Sequence, residues 1–152
     1  MHSEKKYWHL LIFFVICYGV AAFGAQFTPG EWYQGLQRAP WNPPNAAFPI
    51  AWTILYALIA IAGWLLFSQS VVKLKWLWVG QLLLNAAWSW IFFDQHWVGV
   101  ALFDIALLAI VLAVLVQQCF AQGQRAAGYL LVPYLLWIML ATTLNAYIFA
   151  YN

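Results

Sequence analysis

The residues best placed to do chemistry fall into three sets of rings and amides at helical spacing. Gln81, Asn85, Trp88 and Phe92 recur at i, i+4, i+7 and i+11, Tyr134, Trp137, Ala141 and Asn145 at i, i+3, i+7 and i+11, and Trp52 and Tyr56 at i and i+4. On a helix each set occupies one face. In lipid an apolar side chain gains nothing by facing a neighbouring helix, so polar stripes mark the faces turned toward protein. Three such stripes would line a cavity for a large, flat, mostly apolar molecule with a few polar edges. The same amides would serve equally as bridges between helices, at roughly 0.6 kcal/mol each. Tyr33 and Trp41, with Trp32, stand on a segment stiffened by Pro29, Pro40, Pro43 and Pro44, which would hold them as a lid over one mouth of the cavity.

Other chemistry is sparse. Asp104 is the one acid inside an apolar run, about six residues and roughly 9 Å from the end of its helix. A charge at that depth is costly unless paired, protonated or hydrated. Its candidate roles are proton coupling, anchoring the loop through Arg38, or interhelical hydrogen bonding. Glu31 and Arg38 are a weaker candidate pair within the loop. His2 and His9 belong to the N-terminal end and His96 to a short connection, so no helix face carries two histidines for a metal or haem iron. Ser89, the one serine expected inside the membrane, has no base beside it. Cys17 and Cys119 show neither disulfide nor metal-ligand spacing. No nucleophilic or metal catalysis is expected, and no obligatory cofactor.

The elements that must position these groups are written in the composition: 66% hydrophobic residues, 20% aromatic and 7% charged. No water-soluble domain of this size carries that balance. Roughly 20 apolar residues span the ~30 Å hydrocarbon core as a helix, and the chain offers five such runs, about 7–27, 46–67, 76–93, 98–118 and 128–150. The expected fold is an all-α integral membrane bundle of five transmembrane helices, one domain over 1–152, with a long structured loop between the first two. Continuous apolar runs do not alternate as barrel strands do. An odd helix count without internal repeats argues against the inverted-repeat transporters. The N-terminus imitates a signal peptide, with Lys5 and Lys6, an apolar run and Ala22-Phe23-Gly24, but the run exceeds the usual core of roughly 7–15 residues. Asn42 or Asn45 is expected to cap the second helix, with Pro49 leaving its start open by a turn. The small residues Gly19, Ala21, Ala22, Gly24 and Ala25 near the end of the first helix would let neighbouring backbones approach.

Lys5, Lys6, Lys73, Lys75 and Arg125 fall on one side of the membrane and only Arg38 on the other. The positive-inside rule then puts the N-terminus in the cytoplasm and the C-terminus outside. The net charge of +2 reflects that sidedness; basic residues scattered over short loops make no nucleic-acid footprint.

Taken together, Trp32-Tyr33, Pro40-Trp41-x-Pro43-Pro44, Trp52-x-x-Leu55-Tyr56, Gln81-x-x-x-Asn85-x-x-Trp88, Phe92-Phe93, Ala101-Leu102-x-Asp104 and Pro133-Tyr134-x-x-Trp137 to Leu144-Asn145 closely resemble the TspO/translocator-protein family, the tryptophan-rich sensory proteins or peripheral benzodiazepine receptors. The resemblance covers nearly the whole chain from Trp32 to Asn145. It implies a five-helix bundle in a bacterial membrane, commonly a homodimer, that takes porphyrins such as protoporphyrin IX, haem or related hydrophobic small molecules as ligands. Carried over by position, the ligand-binding residues are Tyr33, Trp41, Trp52, Asn85, Trp88, Trp137 and Asn145. The chain then reads as a receptor acting as tetrapyrrole sensor or scavenger. A ring would stack between Trp41, Trp52, Trp88 and Trp137 and be oriented by Asn85 and Asn145. Light-dependent porphyrin breakdown, with Trp52 and Trp137 donating to the excited ring, is the enzyme-like variant; a porphyrin or sterol transporter coupled through Asp104 is the competing class. Two departures matter. No cation follows Leu144 and Tyr147, which leaves sterol recognition there without its basic group, and Ser89-Trp90 stands where many relatives carry proline, implying a straighter third helix with an extra ring at the pocket or a dimer face. Gly80, Ala86 and Ala87 are the small residues available to that face.

Overall fold

A computed structural model describes residues 2–152, with side chains from Tyr7 onward. The side chains of His2, Lys5 and Lys6 lie outside the described set. The helices are α1 (His2–Ala25), the single turn α2 (Glu31–Gln34), α3 (Ala47–Phe67), α4 (Val72–Ser89) extended by a π-helical turn (Trp90–Asp94), α5 (Val98–Ala121) and α6 (Arg125–Tyr151). Within them α1 from Tyr7 to Ala25, α3, α5 and α6 have the length and apolar content to cross a membrane. Lys73, Lys75, Gln81 and Asn85 lower the apolar content of α4, yet with its π turn it runs 23 residues, about 34 Å, enough for the hydrocarbon core.

The five long helices close into a ring. α1 rests on α3 and α4, α3 on α6, α6 on α5, and α5 on α4. Short connections force antiparallel neighbours, so the ends of α1 and α4 gather with the starts of α3 and α5 beneath the long loop. The opposite half of the ring holds the main packed core, with a smaller pocket of about 250 Å³ between α1 and α3. There Trp78, Phe13, Leu66 and Leu74 are buried, and Trp78 donates from Nε1 to the Ile59 carbonyl at 3.0 Å. Gly63 makes this packing possible, because a Cβ there would stand 2.5 Å from the Trp78 ring.

Several local expectations are corrected. The third helix begins at Val72, four residues ahead of the expected start, and the fifth at Arg125 rather than 128. Charged residues in a first turn obey backbone geometry even where hydropathy has lapsed. Neither Asn42 nor Asn45 caps α3: its N-cap is Ala46 without a side-chain bond, and Asn42 Nδ2 reaches the Pro43 carbonyl instead. Ala47 N–H closes a turn onto the Pro44 carbonyl at 2.9 Å, and Pro49 sits in the first turn, where its missing N–H has no helical partner to lose. The α4 end is not the straight helix expected from the absent proline. It widens into the π turn, with Gln95 N–H bonded to the Trp90 carbonyl at 3.0 Å. α5 ends on Gly123, at φ 75°, with Gln124 N–H on the Cys119 carbonyl and Gly123 N–H on the Phe120 carbonyl, the paired closure that an αL glycine allows.

Candidate functional site

The ring is hollow at the loop end. A cavity of about 700 Å³ opens there, within the roughly 300–1,000 Å³ typical of small-molecule sites. All five long helices and the loop contribute. α3 supplies Phe48, Trp52 and Tyr56, α4 Asn85, Trp88 and Ser89, the π turn Phe92 and Phe93, α6 Trp137, Ala141 and Asn145, and α5 Ile105 and Leu108.

The polar stripes meet as a hydrogen-bonded chain that forms the cavity floor. Tyr56 Oη donates to Asn85 Oδ1 at 2.8 Å, Asn85 Nδ2 donates to Tyr134 Oη at 2.7 Å, and Tyr134 Oη donates to Gln81 Oε1 at 2.8 Å. Tyr134 and Gln81 are fully buried beneath the cavity, while Tyr56 and Asn85 show one edge to it. Asn85 and Asn145 hold both the bridging and the cavity-lining roles, alternatives in the sequence, whereas Gln81 only bridges. One turn nearer the mouth, Trp88 Nε1 donates to Asn145 Oδ1 at 2.9 Å, and Asn145 Nδ2 to the Val98 carbonyl at 3.1 Å. Asn145 therefore ties α4, α5 and α6 together while fixing the plane of Trp88.

The rings present walls at several angles. Trp52 meets Trp137 edge to face at 6.5 Å, Phe48 meets Trp137 at 5.6 Å, and Trp88 stacks on Phe92 at 4.9 Å and 18°. Edge-to-face and offset pairs are the favoured ring geometries, so these walls hold their shape without an occupant.

Six of the seven residues expected to bind ligand line this cavity: Tyr33, Trp52, Asn85, Trp88, Trp137 and Asn145. Trp41 does not. It is 52% exposed, donates to Thr143 Oγ1 at 3.1 Å and meets Tyr147 edge to face at 5.6 Å, so it fastens the loop to the outside of α6. Trp32 also fastens, stacking on His96 at 4.0 Å and 6°. His96 adopts φ 59° in the turn before α5, an uncommon conformation for a non-glycine residue. A third tie joins Gln37 N–H to Asn152 Oδ1 at 2.9 Å and Asn152 Nδ2 to the Gln37 carbonyl at 3.0 Å. The loop is thus pinned at its edges by tryptophans and reaches the cavity through Tyr33, Gln34 and Arg38.

Asp104 is buried but lies outside the cavity lining, and its Oδ2 has no hydrogen-bond partner among the described residues. It makes no ion pair with Arg38, nor does Glu31, among the described residues; Arg38 instead lies over the Tyr33 ring at 5.2 Å. Trp90, the extra ring, points away from the cavity and packs edge to face on Trp97. Sequence reasoning missed the wall that α1 contributes. Tyr18, Ala21 and Gly24 line the cavity, and Tyr18 Oη donates to the Thr53 carbonyl at 2.7 Å. The small residues were the available signal: a Cβ on Gly24 would come 3.2 Å from Ser89 Oγ, so glycine lets α1 close against α4.

Fold and site together define a multi-pass helical membrane protein enclosing an aromatic cavity at one end. The TspO/MBR family profile matches residues 13–151. The chain is 35% identical to the tryptophan-rich sensory protein of Cereibacter sphaeroides over 89% of its own length and 85% of that protein's. It is 33% identical to Protein CrtK of Rhodobacter capsulatus, covering 93% and 91% of the two chains, and 33% identical to the human translocator protein, covering 80% and 77%. The chain belongs to the TspO/MBR family, and its five long helices are that family's five-span bundle.

Proposed function

We propose that this protein is a membrane receptor for porphyrins, such as protoporphyrin IX and haem, acting as a tetrapyrrole sensor or scavenger. The observation that carries the reading is the cavity of about 700 Å³ walled by Trp52, Trp88 and Trp137 over an amide floor. Apolar burial and ring stacking supply the affinity. Asn85 uses one N–H and one lone pair in the floor, so its second of each remains to orient a polar edge of the ligand. The lining is dominated by aromatic and aliphatic side chains, which supports a ring held by its faces. The bias of Lys73, Lys75 and Arg125 at the far end against Arg38 at the cavity end supports a mouth facing outside and an N-terminus in the cytoplasm. The protein works as a homodimer, with Gly80 leaving the α4 backbone open to a second copy.

Titration of the full chain with protoporphyrin IX, read by tryptophan fluorescence, tests the reading. Saturable quenching is expected, weakened at least roughly tenfold in Trp52→Ala by loss of one fully used aromatic wall. Quenching that never saturates, or is indifferent to Trp52, overturns it. Light-dependent breakdown of the bound ring would draw on Trp52 and Trp137, which face the cavity together; a bilin-like absorption on illumination, absent in Trp52→Phe or Trp137→Phe, is its signature. Transport is disfavoured because Asp104, the group it would lean on, stands outside the lining.

A further inference from the structure

Charge around the cavity is one-sided. Arg38 is the single charged side chain among the lining residues; no Asp or Glu faces the space. Gln34, Asn42 and Asn45 are the other polar loop residues among the lining. The indoles of Trp52 and Trp137 line the same cavity. Arg38 is half-buried, seated over the Tyr33 ring at 5.2 Å, and forms no ion pair among the described residues. A guanidinium so placed keeps its planar fork of N–H donors free, and that fork matches a carboxylate in bidentate fashion.

We infer that Arg38 is an anion anchor that selects ligands with a carboxylate on one edge, held with that edge toward the loop and the apolar face toward Trp52 and Trp137. The inference rests on the porphyrin reading of the same cavity and adds to it which edge of the ring faces outward and why an acid is preferred to a neutral analogue. Away from bulk water a charge-assisted pair is stronger than at an open surface. The cation–π seat on Tyr33 holds the guanidinium in place before ligand arrives, which reduces the ordering cost on binding.

The test compares protoporphyrin IX, a dicarboxylic acid, with its neutral dimethyl ester, on full-length wild type, Arg38→Gln and Arg38→Lys in lipid nanodiscs. Wild type should prefer the acid by roughly ten- to a hundredfold, the range of a hydrogen bond to a charged group. Arg38→Gln should bring the acid to the ester's affinity while the ester stays within about twofold of wild type, which also shows that the variant is folded. Arg38→Lys should retain part of the preference, since a point charge replaces the fork. Equal binding of acid and ester to wild type overturns the anchor and leaves the porphyrin reading standing, as does an Arg38→Gln variant that weakens both ligands alike. A wild type that binds neither overturns the porphyrin reading, and the anchor with it.

Discussion

The floor of the cavity invites a quantitative test through Asn85→Ala. The substitution removes an amide that accepts from Tyr56 at 2.8 Å and donates to Tyr134 at 2.7 Å. At roughly 0.6 kcal/mol per interhelical bond in lipid, the two are worth about 1.2 kcal/mol. Neither partner is stranded. Tyr56 faces the cavity, where water or ligand reaches its hydroxyl, and the fully buried Tyr134 keeps Gln81 Oε1 at 2.8 Å. The loss should therefore stay at about 1–2 kcal/mol, a thermal midpoint lowered by roughly 2–8 °C for a chain of this size. Cys17 and Cys119 are free and fully buried, so a thiol-reactive fluorophore in detergent reports unfolding directly. Tyr134→Phe breaks two bonds of the same chain and also strands the fully buried Gln81 Oε1, so it should cost about 1–3 kcal/mol more than Asn85→Ala. The two variants share the Asn85–Tyr134 bond, so the double variant should fall short of the summed losses by about 0.6 kcal/mol. Strict additivity would refute the bond. A loss above about 4 kcal/mol from Asn85→Ala alone would show that the amide supports core packing rather than a solvated floor.

Three further outcomes are expected. Gly63→Ala should lower stability by about 1–3 kcal/mol in the same assay, because the new Cβ meets Trp78 at 2.5 Å and Phe13 at 2.9 Å while Trp78 is tethered to the Ile59 carbonyl; an unchanged midpoint would mean that Trp78 is free to retreat. Trp41→Phe should leave porphyrin affinity within about twofold, since the indole is bonded to Thr143 outside the cavity; a loss matching that of Trp52→Ala would return Trp41 to the binding site. Trp32→Ala removes the 4.0 Å stack on His96 and should raise amide hydrogen exchange across residues 28–45 by roughly three- to tenfold with little change in thermal midpoint; unaltered exchange would show that the stack does not hold the lid.

The α4 and α6 stripes were legible because helical periodicity and the cost of polar groups in lipid act along a single stretch of chain. Gln81, Asn85, Trp88, Tyr134 and Asn145 were placed on inward faces by spacing alone, and all five turn inward. Trp41 was misplaced for the converse reason. A loop has no period, so nothing in its sequence says which rings turn in and which fasten it outside. Arg38 was read through its possible partners Asp104 and Glu31, whereas the fold sets it over Tyr33 at the cavity. The contribution of α1 was hidden too, since Tyr18, Ala21 and Gly24 look like ordinary lipid-facing and small residues until α3 and α4 close on them.

By itself, the sequence determined that this chain crosses a membrane as helices and which faces of those helices avoid lipid. Both follow from composition and period, which are properties of one segment against a uniform solvent. Only the tertiary structure decided that the ring packs its main core toward one end and encloses its large cavity at the other. That depends on pairs distant in the chain: Gly63 admitting Trp78, Tyr56 reaching Asn85 and Tyr134, Trp32 finding His96. A cavity is the space left after such pairs have formed, and no single segment carries its outline.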